Sequence, residues 1–211
     1  MGYFVKRPAR KAKLAAGQRC QQIVSIATEQ IARKGFEGLR FQEVAKQAGI
    51  NNATLYYHFP TKEELIQGVV RHLNEELKKT GRRAINEPAS ALEELRIEFQ
   101  DLRDLLRAQP KLFIVLVEFS LRSLRDPAIG KMEARRDGFW QEHLSGIVRR
   151  GIKQRVFRRS TDVDSVVHAL MAQFKGIGYH ATLGTRKYQE MDQMISEIGR
   201  QIEHRLTCGG K

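Results

Sequence analysis

Apolar residues recur at spacings of three and four almost from one end of this chain to the other, and no stretch sustains a period-two alternation. That pattern lines one face of successive α-helices and leaves no signal for a sheet. An all-α fold of about nine helices is expected. With 211 residues, the chain can bury a real hydrophobic core in one large or two small domains.

The first helix is expected from about Arg19 to Lys34, with Ile23, Ile26, Ala27 and Ile31 on one face and Gly35 as its stop. Short helices follow at about Phe41–Ala48, ended by Gly49, and at about Asn52–Phe59, closed by Pro60. Thr61 and Glu64 have the spacing of a capping box at the head of a fourth helix that carries Leu65, Ile66, Val69, Val70, Leu73 and Leu77. The stretch from Thr80 to Ala91, with Gly81, Pro88 and Ser90, reads as a linker. Beyond it the helices lengthen. A fifth carries Leu92, Leu95, Phe99, Leu102 and Leu106, and a sixth Leu112, Val115, Leu116 and Phe119. The seventh is expected over roughly Lys131–Gly151, the eighth after a cap at Thr161 or Asp162, and the ninth along Met191, Met194, Ile195, Ile198, Ile202 and Leu206. The expected organisation is a flexible basic arm over 1–18, a small helical domain with its connecting helix over 19–79, and a larger helical domain over 80–211.

Charge is unevenly spread. Residues 1–86 hold 16 Lys and Arg against 7 Asp and Glu, or +9; the rest hold 21 against 17, or +4. A polyanionic partner is implied for the first part. Lys6, Arg7, Arg10, Lys11 and Lys13 in the arm can track a minor groove or a phosphate backbone.

The segment FQEVAKQAGINNATLYYHFPTKEELI, residues 41–66, carries the functional signal. Val44, Ala45, Ile50, Leu55 and Phe59 can bury together where two short helices cross at a tight turn, and Gly49 supplies the positive φ the turn needs. This leaves Asn51, Asn52, Ala53, Tyr56, Tyr57 and His58 on the outside of the second helix. In helix-turn-helix docking that helix enters the major groove, where Asn can bond adenine at two points and Ala can touch a thymine methyl. The Tyr and His side chains sit later and suit phosphates, which fix register. Lys62 stands at the positive end of the fourth helix, another phosphate site.

These motifs resemble the DNA-binding region of the TetR family of bacterial regulators. The likeness runs over residues 19–66: a first helix ending in G-F-E-G, then V-A-K-Q-A-G, T-L-Y-Y-H-F and K-E-E-L. By that resemblance Asn51, Asn52, Ala53, Tyr56, Tyr57, His58 and Lys62 stand where family members contact operator DNA. Where the family usually has Ser or Thr capping the second helix, this chain has Arg40, Phe41 and Gln42. Arg40 can replace the phosphate contact as a charged donor, at about 1 kcal/mol for the missing cap; Gln42 is a further candidate contact.

The resemblance implies an N-terminal three-helix DNA-binding domain and a C-terminal helical domain for ligand binding and dimerisation. The implied function is a sequence-specific repressor bound to a palindromic double-stranded operator and released by a small-molecule effector. The alternatives are a TetR-like activator or partner-controlled regulator, and a sequence-indifferent architectural DNA-binding protein. The last two helices would join a homodimer, with Phe174, Gly176, Gly178 and the Met/Ile stripe of the ninth helix at the interface. Phe99, Phe119, Trp140, His168 and Phe174 are the candidate effector contacts.

Other classes find little support. No run of 18 apolar residues would span a membrane, and the charged N-terminus does not read as a secretory signal. Cys20 and Cys208, without CxxC spacing, read as free thiols in a cytoplasmic protein. His143, His168 and His180 lack the spacing of a metal site. No P-loop, GxGxxG or nucleophile–base set is present, so neither enzymatic activity nor a cofactor is expected.

Overall fold

The structure, a computed structural model, describes residues 8–80, 90–184 and 188–207, and the side chains of all of these except 8–16 and 78–80. Arm residues 1–7, the linker from 81 to 89 and Cys208 lie outside the described residues. Nine α-helices and one short 3-10 turn account for the regular structure among them, with no strand. The chain divides into two compact units, Met1–Leu73 and Asn74–Lys211.

The first unit is built from α1 (Pro8–Lys34), α2 (Phe41–Gln47), α3 (Asn52–His58) and the front of α4 (Lys62–Thr80). α1 starts at Pro8, well before the expected Arg19. Its early residues are mostly Ala, Lys, Arg and Gln, good helix formers without an apolar stripe to announce them, and proline suits a first helical position. The part of the expected arm from Pro8 onward is therefore helical. Ile23, Ala27, Ile31, Val44, Leu55, Leu65 and Val69 are all fully buried, so four helices share one core.

α2 ends in a Schellman motif: Gly49, at φ 65°, donates its N–H to Lys46, and Ile50 donates to Ala45. This closes α2 within one turn and starts α3 two residues later, which fixes the crossing of the two short helices. α4 opens as its sequence requires, with the Glu64 N–H donating to Thr61 Oγ1 at 3.1 Å.

In the second unit α5 (Ala91–Ala108), α6 (Pro110–Ser123), α7 (Pro127–Lys153), α8 (Val163–Thr182) and α9 (Tyr188–Thr207) surround a core of Leu95, Phe119, Leu144, Ile147, Val167, Leu170 and Ile195. α6, α7 and α8 pack against one another; α5 joins α7 on one side and α9 on the other. α7 begins at Pro127 rather than near Lys131. Asp126 Oδ1 accepts from the N–H groups of Ala128 and Ile129, and Pro127 fills the first helical position, so the Asp-Pro pair that looks like a helix end is a helix start. The cap of α8 is Asp162, which accepts from Ser165.

α5 is tied to its neighbours by ion pairs. Arg96 forms a two-pronged pair with Glu203, Arg103 meets Asp192 and Ser196 at 2.9 Å each, and Arg150 holds Glu94. Exposed pairs of this kind add little stability each; their geometry favours one register of α5 against α9 and α7.

Most of the apolar stripe of α9 faces inward, with Met194 and Ile198 left half-buried. Met191, Ile195, Ile202 and Leu206 are buried within their own unit. Phe174 is likewise buried, and Gly178 lies under Phe113, where a Cβ would come within 2.7 Å of the ring. Of the side chains expected at a dimer interface, the helix-packing demands of the single chain claim most, and Gly176 alone of the named glycines is open.

Candidate DNA-binding surface

The two short helices expose a compact set of side chains. Leu55 and Phe59 hold α3 to the core, and this turns Asn52, Ala53, Tyr56 and Tyr57 outward. Tyr57 is 82% exposed, an unusual state for so large a ring in a folded unit. Tyr56, 51% exposed, leans on Phe41 of α2 with the ring centroids 5.1 Å apart. Phe41 thus stiffens a side chain on the outer face, a role its sequence position gave no sign of.

Asn51 is exposed and has a structural duty. It is the N-cap of α3, its Oδ1 accepting from the Thr54 N–H at 2.8 Å. Its two amide N–H donors remain free for a ligand. His58 is half-buried, and its Nδ1 lies 3.4 Å from the Sγ of Cys20 on α1. It stands at the edge of the outer face rather than on it, because helical spacing places it on the Thr54–Leu55 side.

Arg40 precedes α2 in an extended conformation and provides no side-chain cap. Its own N–H donates to the buried Gln30 Oε1 at 3.3 Å, and its guanidinium folds onto the carbonyls of Glu37 and Leu39. Gln42 is exposed beside it and Lys62 is half-exposed at the start of α4. In the first turn of α2, Glu43 accepts from the Lys34 ammonium at 2.7 Å, which holds that carboxyl below its ordinary range.

The effector candidates divide. Phe99 (α5), Trp140 (α7) and Phe174 (α8) form one aromatic cluster: Phe99 and Phe174 meet edge-on at 4.9 Å, and Trp140 lies 5.8 Å from Phe174. Phe119 is fully buried in α6. His168 is on an exposed face of α8 and its Nδ1 is 2.8 Å from the carbonyl of Asp164 one turn earlier, so it is not among the rings. Phe99 also floors an open cleft of about 260 Å³ between α5 and α9, edged by Arg96, Arg103, Ser196, Arg200 and Glu203. That cleft has no local sequence signal, because residues far apart in the chain form it. Among the described residues no cluster of three His, Cys, Asp or Glu could hold a metal ion, and no helix is long and apolar enough to cross a membrane.

Residues 23–69 match the model of the bacterial regulatory proteins of the tetR family, and residues 91–206 that of the BetI-type transcriptional repressor C-terminal domain. The chain belongs to the TetR family. The HTH-type transcriptional repressor KstR2 of Mycobacterium tuberculosis is 26% identical over 157 residues, covering 72% of this chain and 76% of that one. The fatty acid metabolism regulator protein of Bacillus subtilis is 28% identical over 142 residues, 67% of this chain and 72% of that one. Among solved structures, a regulator from Saccharomonospora viridis in complex with choline superposes with a TM-score of 0.79 at 24% identity, over 92% of this chain and all of that one. TetR-family proteins are DNA-binding transcription factors rather than enzymes, and this chain is a DNA-binding regulator.

Proposed function

We propose that this TetR-family chain is a cytoplasmic, sequence-specific repressor that binds a palindromic operator as a homodimer and is released by a small-molecule effector. The observation that carries the reading is the outer face of α3. Asn52, Ala53, Tyr56 and Tyr57 project from a short helix anchored by Leu55. That face has hydrogen-bonding and apolar groups and no formal charge, which suits base edges more than phosphate alone. Arg40, Gln42, Asn51, His58 and Lys62 flank it and would contact the backbone, fixing the helix in the groove.

The dimer would form through α8 and α9. Ala169, Ala172, Gly176, Tyr179 and Leu183 recur along one uncharged, open or half-open side of α8, and Met194 and Ile198 are half-buried on α9. Small residues allow two such helices to approach a symmetric copy closely. The effector would be sensed at the cluster of Phe99, Trp140 and Phe174. Aromatic walls suit apolar ligands and also quaternary ammonium ions such as the choline bound by the S. viridis neighbour. Ligand would shift the dimer between states only to the extent that it prefers one of them.

The test uses duplexes selected from a random pool. Asn52→Ala and Tyr57→Ala should each weaken binding to the selected duplex about tenfold or more, at roughly 1–3 kcal/mol per base contact, while the melting temperature stays put. Unchanged affinity in both variants would overturn the assignment of α3. A thermal-shift and operator-displacement screen with apolar and quaternary ammonium compounds tests the effector; none releasing the duplex would remove that part.

A further inference from the structure

We propose that Cys20 is a positioning residue for DNA binding: its thiol holds the His58 imidazole so that the Nε2–H faces the DNA backbone. The proposal rests on the reading of α3 as the helix that meets DNA. Cys20 on α1 and His58 at the end of α3 are 38 positions apart, and Sγ and Nδ1 lie 3.4 Å from one another. Both side chains are half-buried. On another side the Tyr57 ring packs edge-on against the imidazole at 5.3 Å and 78°. The ring is therefore held at two points, while Nε2 has no protein partner among the described residues.

In the proposed arrangement the thiol is the donor and Nδ1 the acceptor, neutral sulfur being a poor acceptor for an Nδ1–H. A thiol is a weak donor, and an imidazole nitrogen accepts only when it bears no hydrogen. With Sγ–H donating to Nδ1, the ring hydrogen resides on Nε2, the nitrogen free to donate outward. A phosphate oxygen is an acceptor and needs a donor in place. Cys20 does not touch DNA; it selects the tautomer and the ring orientation that do. A cysteine serving only as a small hydrophobe would be expected deeper in the core; this one is on a half-exposed rim beside a recognition helix.

The experiment has two readouts on the full-length protein. Ring 15N chemical shifts of His58 in the free protein should show Nδ1 without hydrogen and Nε2 with it; the reverse assignment overturns the proposal whatever the variants do. Affinity for the selected duplex should then fall roughly three- to tenfold in Cys20→Ala, the range of one neutral hydrogen bond. Cys20→Ser, which keeps a donor, should recover most of it. Cys20→Ala combined with His58→Ala should bind no worse than His58→Ala alone, since a residue acting through another adds nothing once that one is gone. Additive losses, or a Cys20→Ala protein that binds like wild type, would overturn the assignment while leaving the DNA reading intact. A wild-type protein that selects no duplex would remove both.

Discussion

The backbone of Gly151 on α7 lies so close to the ring of Phe157 that a Cβ on Gly151 would stand 2.0 Å from Cδ2 of the ring. The N–H groups of Val156 and Phe157 both donate to the Gly151 carbonyl, and Arg155 takes a positive φ of 61° to make that turn. Phe157, itself buried, plugs the end of the second unit. Gly151→Ala should destabilise that unit by roughly 1–3 kcal/mol, the usual cost of overpacking. Denaturant unfolding measures it, and Gly151→Ala should cost less in a Phe157→Leu background, where the flat ring is gone.

The cap of α3 separates stability from recognition at Asn51. Asn51→Ala should cost about 1 kcal/mol of stability in the first unit, and Asn51→Ser should restore it. Any loss of operator affinity that persists in Asn51→Ser reports the amide's own contact with DNA. Calorimetry and binding on the same three proteins decide how the residue divides its duties.

The α8 surface makes a distinct prediction for assembly. A Cβ at Gly176 has nothing within 4 Å, so a larger side chain is accommodated by the protomer, and replacing a mid-helix glycine favours the helix by several tenths of a kcal/mol. Gly176→Arg should therefore keep helical content and melting temperature of the protomer yet shift sedimentation from dimer to monomer. A dimer that survives the substitution would place the interface elsewhere.

His143 on α7 gives the protein a pH dependence. Its hydrogen bond with Glu98 at 2.8 Å, opposed by partial burial and assisted by the charges of Glu98 and Glu94, raises its pKa above 6.5. A group with a raised folded-state pKa contributes stability in full below its unfolded value, and that contribution fades as pH rises through the folded value. Melting temperature should thus fall as pH climbs from about 6.5 through the raised value. His143→Gln should flatten that part of the profile; an identical slope in the variant would assign it to other groups.

Helical class, the turn at Gly49 and the crossing of α2 with α3 were legible in the sequence because each is a local event: periodicity, a glycine, a capping box. What escaped depends on distance along the chain. The inward stripe of α9 reads the same whether it meets its own α5 or a second copy, so periodicity could not choose between them. Asp126-Pro127 carries a stop and a start signal at once, and only packing of the α7 N-terminus resolves it. The link from Cys20 to His58 had no sequence signal at all, since neither residue's neighbours hint at the other. His168 falls on the exposed side of α8, away from Phe174 by helical spacing.

Selection of random duplexes by the purified full-length protein at near-physiological salt tests the central claim most directly. The account predicts an enriched palindrome whose half-sites are one helical turn or somewhat more apart, and whose sequence preference relaxes with Asn52→Ala. Uniform, steeply salt-dependent binding with no enriched sequence would contradict it, and would point to a protein held by the phosphate backbone alone.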